Sequence, residues 1–161
     1  MSKVLLGMSG GVDSSTAAAL LLRAGHAVTG ATLVMHDIHE RDAAAAKAVA
    51  DAIGIPHLTV DMREDFEKLV LSPFVSEYEN GRTPNPCVLC NGYIKFPALL
   101  KTADSLGCDC IATGHYAKIA EENGRFLLLR GEDKSKDQSY ALYNLNQEQL
   151  SRTLFPLGEI S

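Results

Sequence analysis

No apolar run in the sequence approaches the ~20 residues that a membrane-spanning helix needs. The amino-terminal stretch MSKVLLGMSGG has one lysine, a short apolar run and no small-residue cleavage pattern. No signal peptide is read there, and a cytoplasmic protein that meets no membrane is expected. Low-complexity segments, long linkers and internal repeats are also lacking, which excludes a disordered chain, a collagen and a repeat array. Positive charge is scarce: 15 Lys and Arg stand against 20 Asp and Glu, a net charge of −5. That balance argues against gripping a nucleic acid by charge alone. Cysteine is sparse too, with Cys87, Cys90, Cys108 and Cys110. Without a secretion signal, these fit reactive, metal-binding or buried thiols better than structural disulfides.

The chain has 161 residues, 46% hydrophobic and 22% charged. That is one soluble domain's worth, able to bury roughly 70% of its unfolded surface. Strand and helix signals alternate. Lys3–Met8 reads as a buried strand and Val12–Ala24 as a helix closed by Gly25. Ala27–Met35 reads as a strand rich in Val, Thr and Leu. Arg41–Ile53 is an Ala-rich helix ended by Gly54 and Pro56, and His57–Val60 is a third strand. Arg63–Tyr78 is helical with a break expected near Pro73. Gly81–Cys90 is a Pro-rich loop, Asn91–Leu106 a helix bent or split at Pro97, and Cys108–Thr113 a fourth strand. This alternation predicts an α/β fold: a doubly wound parallel sheet with helices on both faces and right-handed crossovers. After Gly114 a hairpin is expected, Ala117–Ala120 with Phe126–Arg130, then a short segment over Tyr140–Leu145 and a helix over Gln147–Leu154. Residues 1–161 are expected to form one domain, cut short in mid-pattern at Phe155–Ser161.

The first strand runs into Ser9-Gly10-Gly11-Val12-Asp13-Ser14-Ser15 and straight into a helix. Paired glycines allow a tight turn and close approach to a ligand. Backbone N–H groups and the helix N-terminus make an anion site there, with Ser9, Ser14 and Ser15 as hydroxyl donors. The Gly-Lys-Ser/Thr ending of a Walker loop is missing, and the run does not fit GxGxxG. The site falls at the carboxyl end of a strand, where open α/β sheets bind ligands. A Gly-rich turn with Asp13 or Ser14 as a plain N-cap is the structural alternative.

The second informative stretch is Gly81-Arg82-Thr83-Pro84-Asn85-Pro86-Cys87-Val88-Leu89-Cys90-Asn91. Its prolines give a stiff, extended loop. Cys90 is expected in the first turn of the next helix, where the dipole would lower the thiol pKa. Structural zinc on Cys87, Cys90, Cys108 and Cys110 is a competing reading, as is a redox C-x-x-C. His26, His36, His39 and His57 are scattered and fit no metal spacing. His115 could equally be a hydrogen-bonded strand-end histidine, and Lys136-Asp137-Gln138 a solvated turn.

GMSGGVDSS resembles the pyrophosphate loop of the adenine-nucleotide α-hydrolase-like proteins. The resemblance implies ATP cleaved between its α- and β-phosphates, with Gly7, Met8, Ser9, Gly10, Gly11, Val12, Asp13 and Ser14 on the phosphates and Asp13 near Mg²⁺. EYENGRTPNPCVLCNGYIKF, then Ile111-Ala112-Thr113-Gly114-His115-Tyr116 and Lys136-Asp137-Gln138-Ser139-Tyr140, are very similar to the tRNA-specific 2-thiouridylase family. That likeness implies ATP-dependent 2-thiolation of a tRNA wobble uridine, with sulfur from a persulfide-carrying relay protein. It implies Cys90 as the nucleophile and Asp13 as its catalytic companion. It places Leu33 and Gly114 at the nucleotide, and Asn85, Pro86, Cys87, His115, Lys136, Asp137 and Gln138 at the tRNA. The family uses a second cysteine well downstream of KDQSY, whereas no cysteine follows Cys110 here. ATP binding without independent thiolation is therefore expected of these 161 residues. A small-molecule pyrophosphate-loop enzyme and a zinc-stabilised nucleotide-binding module are the alternatives.

Overall fold

A computed structural model describes residues 1–160. The unbroken apolar run at the amino terminus forms β1 (Lys3–Gly7), whose Val4, Leu5 and Leu6 are wholly buried. Continuous burial of this kind belongs to a central parallel strand covered on both faces. The chain then lays down α1 (Val12–Arg23), β2 (Ala27–Val34), α2 (His39–Ile53) and β3 (His57–Asp61). Later come β4 (Cys110–Ala112), β5 (Ala117–Glu122), β6 (Arg125–Arg130), α7 (Gln147–Ser151) and β7 (Thr153–Leu154).

Five strands pair in the order β3-β2-β1-β4-β7, every neighbour parallel. The expected doubly wound sheet is therefore present. Side-chain alternation along β1 divides the core. Val4 and Leu6 pack with Ala17, Ala18 and Leu21 of α1 and Ala46 and Ala50 of α2. Leu5 packs on the other face with Phe96, Leu99 and Ala103. The strand order reverses between β1 and β4. Their carboxyl ends splay there and leave the crevice that doubly wound sheets use for ligands.

Between β3 and β4 the chain stays helical through both prolines, so the break expected at Pro73 is not made and the helix at Pro97, expected to bend or split, does not split. Arg63–Phe66 (α3) passes through a π turn at Glu67–Leu71 into Ser72–Glu79 (α4). Pro86–Leu89 (α5) passes through a second π turn at Cys90–Lys95 into Phe96–Leu106 (α6). A helical proline strikes the carbonyl four residues back. For Pro73 and Pro97 those carbonyls belong to Leu69 and Tyr93, and both lie in the wide turns. Ser72 N–H reaches Glu67 O and Phe96 N–H reaches Asn91 O, each one residue further back than in an α-helix. The two π turns pack side by side through Val70, Cys90 and Ile94.

The hairpin forms as expected, on a two-residue Asn123-Gly124 turn with φ of 51° and 73°. Positive φ at both positions suits the twist of tight antiparallel hairpins. The last expected helix is shorter: α7 stops at Ser151, and Thr153–Leu154 adds a strand beside β4. A two-residue strand carries no periodicity to read. The hairpin is thus an insertion between β4 and β7, tied to α7 by Gln147, whose amide bonds both N–H and C=O of Phe126 at 2.9 and 2.8 Å. No helix among the described residues is long and apolar enough to cross a membrane.

Candidate functional site

A cleft of about 320 Å³ opens at the reversal point between β1 and β4. Gly7, Met8, Ser9, Asp13 and Ser14 line it from the loop, Leu33 from β2, and Gly114, His115 and Gln138 from beyond β4. Sequence reasoning named all nine. Gly10, Gly11 and Val12 belong to the same loop without lining the cleft.

The loop is held by its own hydroxyls. Ser14 Oγ donates to Gly11 O at 3.1 Å and accepts from Ser9 N–H at 3.3 Å. Ser15 Oγ donates to the same carbonyl at 2.8 Å. Gly11 is the N-cap and offers no side chain, so the first-turn N–H groups of α1 remain available to an anion. Gly10 is required sterically: φ is +76°, and a Cβ would lie 2.7 Å from Ala45 Cβ and 2.8 Å from Ala46 N. The loop therefore rests directly on α2. Gly114 is the second close approach, with a Cβ only 3.1 Å from Ser14 N.

Asp13 Oδ1 accepts a 2.9 Å hydrogen bond from the Tyr116 hydroxyl. Tyr116 is buried, and its backbone is clamped twice by Gln138: Tyr116 N–H to Oε1 at 3.0 Å, and Gln138 N–H to Tyr116 O at 2.9 Å. Lys136 Nζ stands 5.0 Å from the Tyr116 ring centroid, within cation–π range. Asp137 folds the turn, accepting from Gly131 N–H at 3.0 Å and from the Ser139 hydroxyl at 2.9 Å. Two sequence motifs far apart in the chain thus meet at one carboxylate.

Cys90 does not line the cleft. It is 8% exposed, and its Sγ lies 3.4 Å from Sδ of Met35, which does. The expected loop over Gly81–Cys90 ends early, because the helix starts at Pro86 with Asn85 capping Cys87 N–H at 3.1 Å. The exposed Cys87 therefore holds the first-turn place, and Cys90 opens the π turn beyond it. Burial pushes the Cys90 thiol up, Lys95 partly offsets this, and Cys87 adds to it. The lowered thiol pKa expected from the helix dipole is thus corrected: desolvation wins once the sulfur leaves the first turn.

Lys95 also reaches the cleft, at the far end of the same π turn. His115 lies between Phe96 and Phe155, each ring centroid 6.2 Å away, with Nδ1 2.8 Å from Thr113 Oγ1. Burial, then the Lys95 charge, pushes this imidazole down to about 4. It is neutral at pH 7. Asn85 and Lys136 are exposed, Pro86, Asp137 and Gln138 half-buried.

The cleft also takes in Thr32, Met35, His39, Asp42, Lys95 and Thr113, none of which sequence reasoning singled out. Thr32 and Thr113 follow from the register of β2 and β4, since strand ends face the crevice. Met35, His39 and Asp42 come from the β2–α2 connection, which carries no motif. Thr32 Oγ1 donates to Met8 O at 2.8 Å and pairs with His57 Nε2 at 2.9 Å, which fixes the loop's entry. Among the described residues, no three His, Cys, Asp or Glu side chains gather as a metal site. All four thiols are free. The four cysteines therefore do not come together as the zinc reading requires.

Over residues 2–161 the sequence matches the family described as the tRNA methyl transferase HUP domain. The chain belongs to that family. It is 52% identical over 168 residues to the tRNA-specific 2-thiouridylase MnmA of Syntrophotalea carbinolica, covering 98% of this chain and 47% of that protein. The MnmA of Amoebophilus asiaticus is 50% identical, with 97% and 45% covered. The chain spans about half the length of the curated relatives it matches. Among solved structures, the U34-tRNA thiolase NcsA of Methanococcus maripaludis aligns with a TM-score of 0.51 at 26% identity, over 71% of this chain and 38% of that one. A predicted subunit of tRNA methyltransferase from Methanocaldococcus jannaschii shares the fold over the whole chain and 70% of its own, with a TM-score of 0.58 at 17% identity. The HUP-domain assignment accords with the parallel sheet and its crevice.

Proposed function

We propose that this chain is the ATP-binding, base-activating part of a cytoplasmic tRNA-uridine 2-sulfurtransferase. One observation carries the reading: a single cleft runs from the anion-binding loop to Met35, whose thioether covers the Cys90 thiol. The Met35 side chain thus stands between the phosphate crevice and the nucleophile. The relatives, a 2-thiouridylase and a U34-tRNA thiolase, supply the substrate class.

ATP lies with its base toward Leu33 and its phosphates on Gly7–Ser14, close under Gly114. Asp13 is the residue that would hold Mg²⁺. One free carboxylate oxygen plus phosphate oxygens is the donor set Mg²⁺ takes, and the ion would neutralise phosphate charge. Asn85, Pro86, Cys87, His115, Lys136, Asp137 and Gln138 face the tRNA. The target uridine leaves its stack to enter the crevice, since a stacked base is sterically closed. Its C2 oxygen attacks the α-phosphorus, and pyrophosphate departs. The terminal sulfur of a persulfide, loaded by the relay protein onto a downstream cysteine that these 161 residues lack, then bonds to C2, and the C2–O bond to AMP breaks. Cys90, as thiolate, takes that cysteine's remaining sulfur into a disulfide and leaves 2-thiouridine. With no cysteine after Cys110, the 161 residues are proposed to bind ATP without completing this transfer alone.

Incubation of the full chain with ATP labelled at the α-phosphate and unmodified tRNA tests the reading. Label should appear on the tRNA with the unmodified chain and with Cys90→Ser alike, since adenylation precedes the step that needs the thiol. Label recovered only on a small molecule would sink it.

A further inference from the structure

The carboxylate of Asp13 sits on the exposed first turn of α1, yet it is not free to rotate. Its Oδ1 is taken by the buried Tyr116 hydroxyl at 2.9 Å, and Oδ2 has no partner among the described residues. Tyr116 in turn has no slack. Its backbone is held on both sides by Gln138, at 3.0 and 2.9 Å, and Gly131 packs so closely that a Cβ there would lie 3.0 Å from Tyr116 O. Lys136 covers the ring at 5.0 Å, and Asp137 ties the turn that carries both residues.

We infer that Tyr116 is a positioning residue. It aims the free oxygen of Asp13 into the phosphate crevice, and the Lys136-Asp137-Gln138 turn holds it in register. A carboxylate fixed by an outer hydrogen bond keeps one ligand direction instead of several. Outer partners of this kind govern how tightly a metal–phosphate pair is held. The arrangement also makes the phosphate side sensitive to the turn, because any shift of Gln138 moves the phenol that holds Asp13. The inference rests on the proposed reading of the loop as a metal–ATP site.

The test is the Mg²⁺ dependence of ATP binding by the full chain carrying Tyr116→Phe. Phenylalanine keeps the ring, its packing and the Lys136 contact, and removes only the hydroxyl. The Mg²⁺ concentration giving half of the calorimetric effect should rise about 10-fold. Metal-free ATP binding should stay unchanged, which also reports an intact fold. Lys136→Met should shift the Mg²⁺ dependence in the same direction by less, and carries the test should Tyr116→Phe not fold. Asp13→Asn should remove the dependence. If Tyr116→Phe behaves as wild type while Asp13→Asn does not, the positioning role is overturned and the site reading stands. Equal loss with and without metal in Tyr116→Phe marks a purely structural tyrosine and overturns it too. If Asp13→Asn leaves the Mg²⁺ dependence intact, the metal–ATP reading itself fails, and this inference with it.

Discussion

Cys90 and Met35 meet sulfur to sulfur, with Sγ 3.4 Å from Sδ and 55 residues of chain between them. Met35 follows the last residue of β2 and faces the cleft. Cys90 lies behind it, packed with Val70 and Ile94. The thioether is therefore a movable cover over the thiol, and methionine's unbranched side chain suits that place. Met35→Ala should expose the sulfur. Alkylation at Cys90, read by peptide mass mapping so that the exposed Cys87 is scored separately, should accelerate roughly 10-fold, at a stability cost of about 1–2 kcal/mol for the half-buried side chain. Unchanged labelling would show that another group covers the thiol.

The pH dependence of Cys90 follows from its burial. The thiol is held above its ordinary value of 9.0, so it is protonated at neutral pH. Its alkylation rate should still be climbing above pH 9, where an unperturbed thiol levels off. Lys95→Met removes the cation that favours the thiolate and should push the rise to still higher pH. A plateau below pH 8 in the unmodified protein would contradict this.

His115 makes stability fall on acidification. Its folded value, about 4, lies below the ordinary imidazole value of 6.5. Between those limits the unfolded imidazole binds a proton that the folded one refuses, so stability is full above about pH 6.5 and declines as pH drops toward 4. The loss from this residue is at most about 3 kcal/mol. His57, lowered mainly by its own burial, contributes in the same direction just below 6.5. Urea denaturation at pH 7 and pH 5 should show the decline, and His115→Phe should flatten much of it. An equal slope in that variant would remove His115 as its source.

Gly10→Ala should be among the most harmful single changes to the loop. It places a side chain at φ +76° and within 2.8 Å of both Ala45 Cβ and Ala46 N. Left-handed strain and overpacking against α2 together cost roughly 2–4 kcal/mol. Thermal melting should fall by several degrees, and ATP binding should weaken because the loop must lift off α2. Gly25→Ala, at φ +83° with open space around it, carries the backbone strain without the clash and should cost less. Equal costs would mean that backbone strain alone decides both.

Much of the architecture follows from local chemistry. The apolar run at Val4–Leu6, the alanines of α1 and α2, the glycines that end helices and Asn123-Gly124 each have one physical reading, and each is realised. SGGVDSS behind a strand already implies an anion site, because glycine freedom and helix-start donors are properties of the residues themselves. What tertiary structure decided is who meets whom. Burial was not legible at Cys90: its distance from a helix start is local, but its neighbours Met35, Val70 and Ile94 come from three segments. The sign of its pKa shift followed those neighbours and not the dipole. Likewise Tyr116 and Asp13 lie 103 residues apart, and only the reversal of strand order at β1 and β4 brings them together. The π turns before Pro73 and Pro97 belong to the same class, since a proline announces a lost hydrogen bond but packing decides whether the helix breaks or widens. The sequence by itself determined most of the elements and the donor groups that the first loop offers. The fold decided which carboxylate is held, which thiol is covered and which histidine stays neutral, because hydrogen-bond partners and desolvation depend on contacts made across the chain.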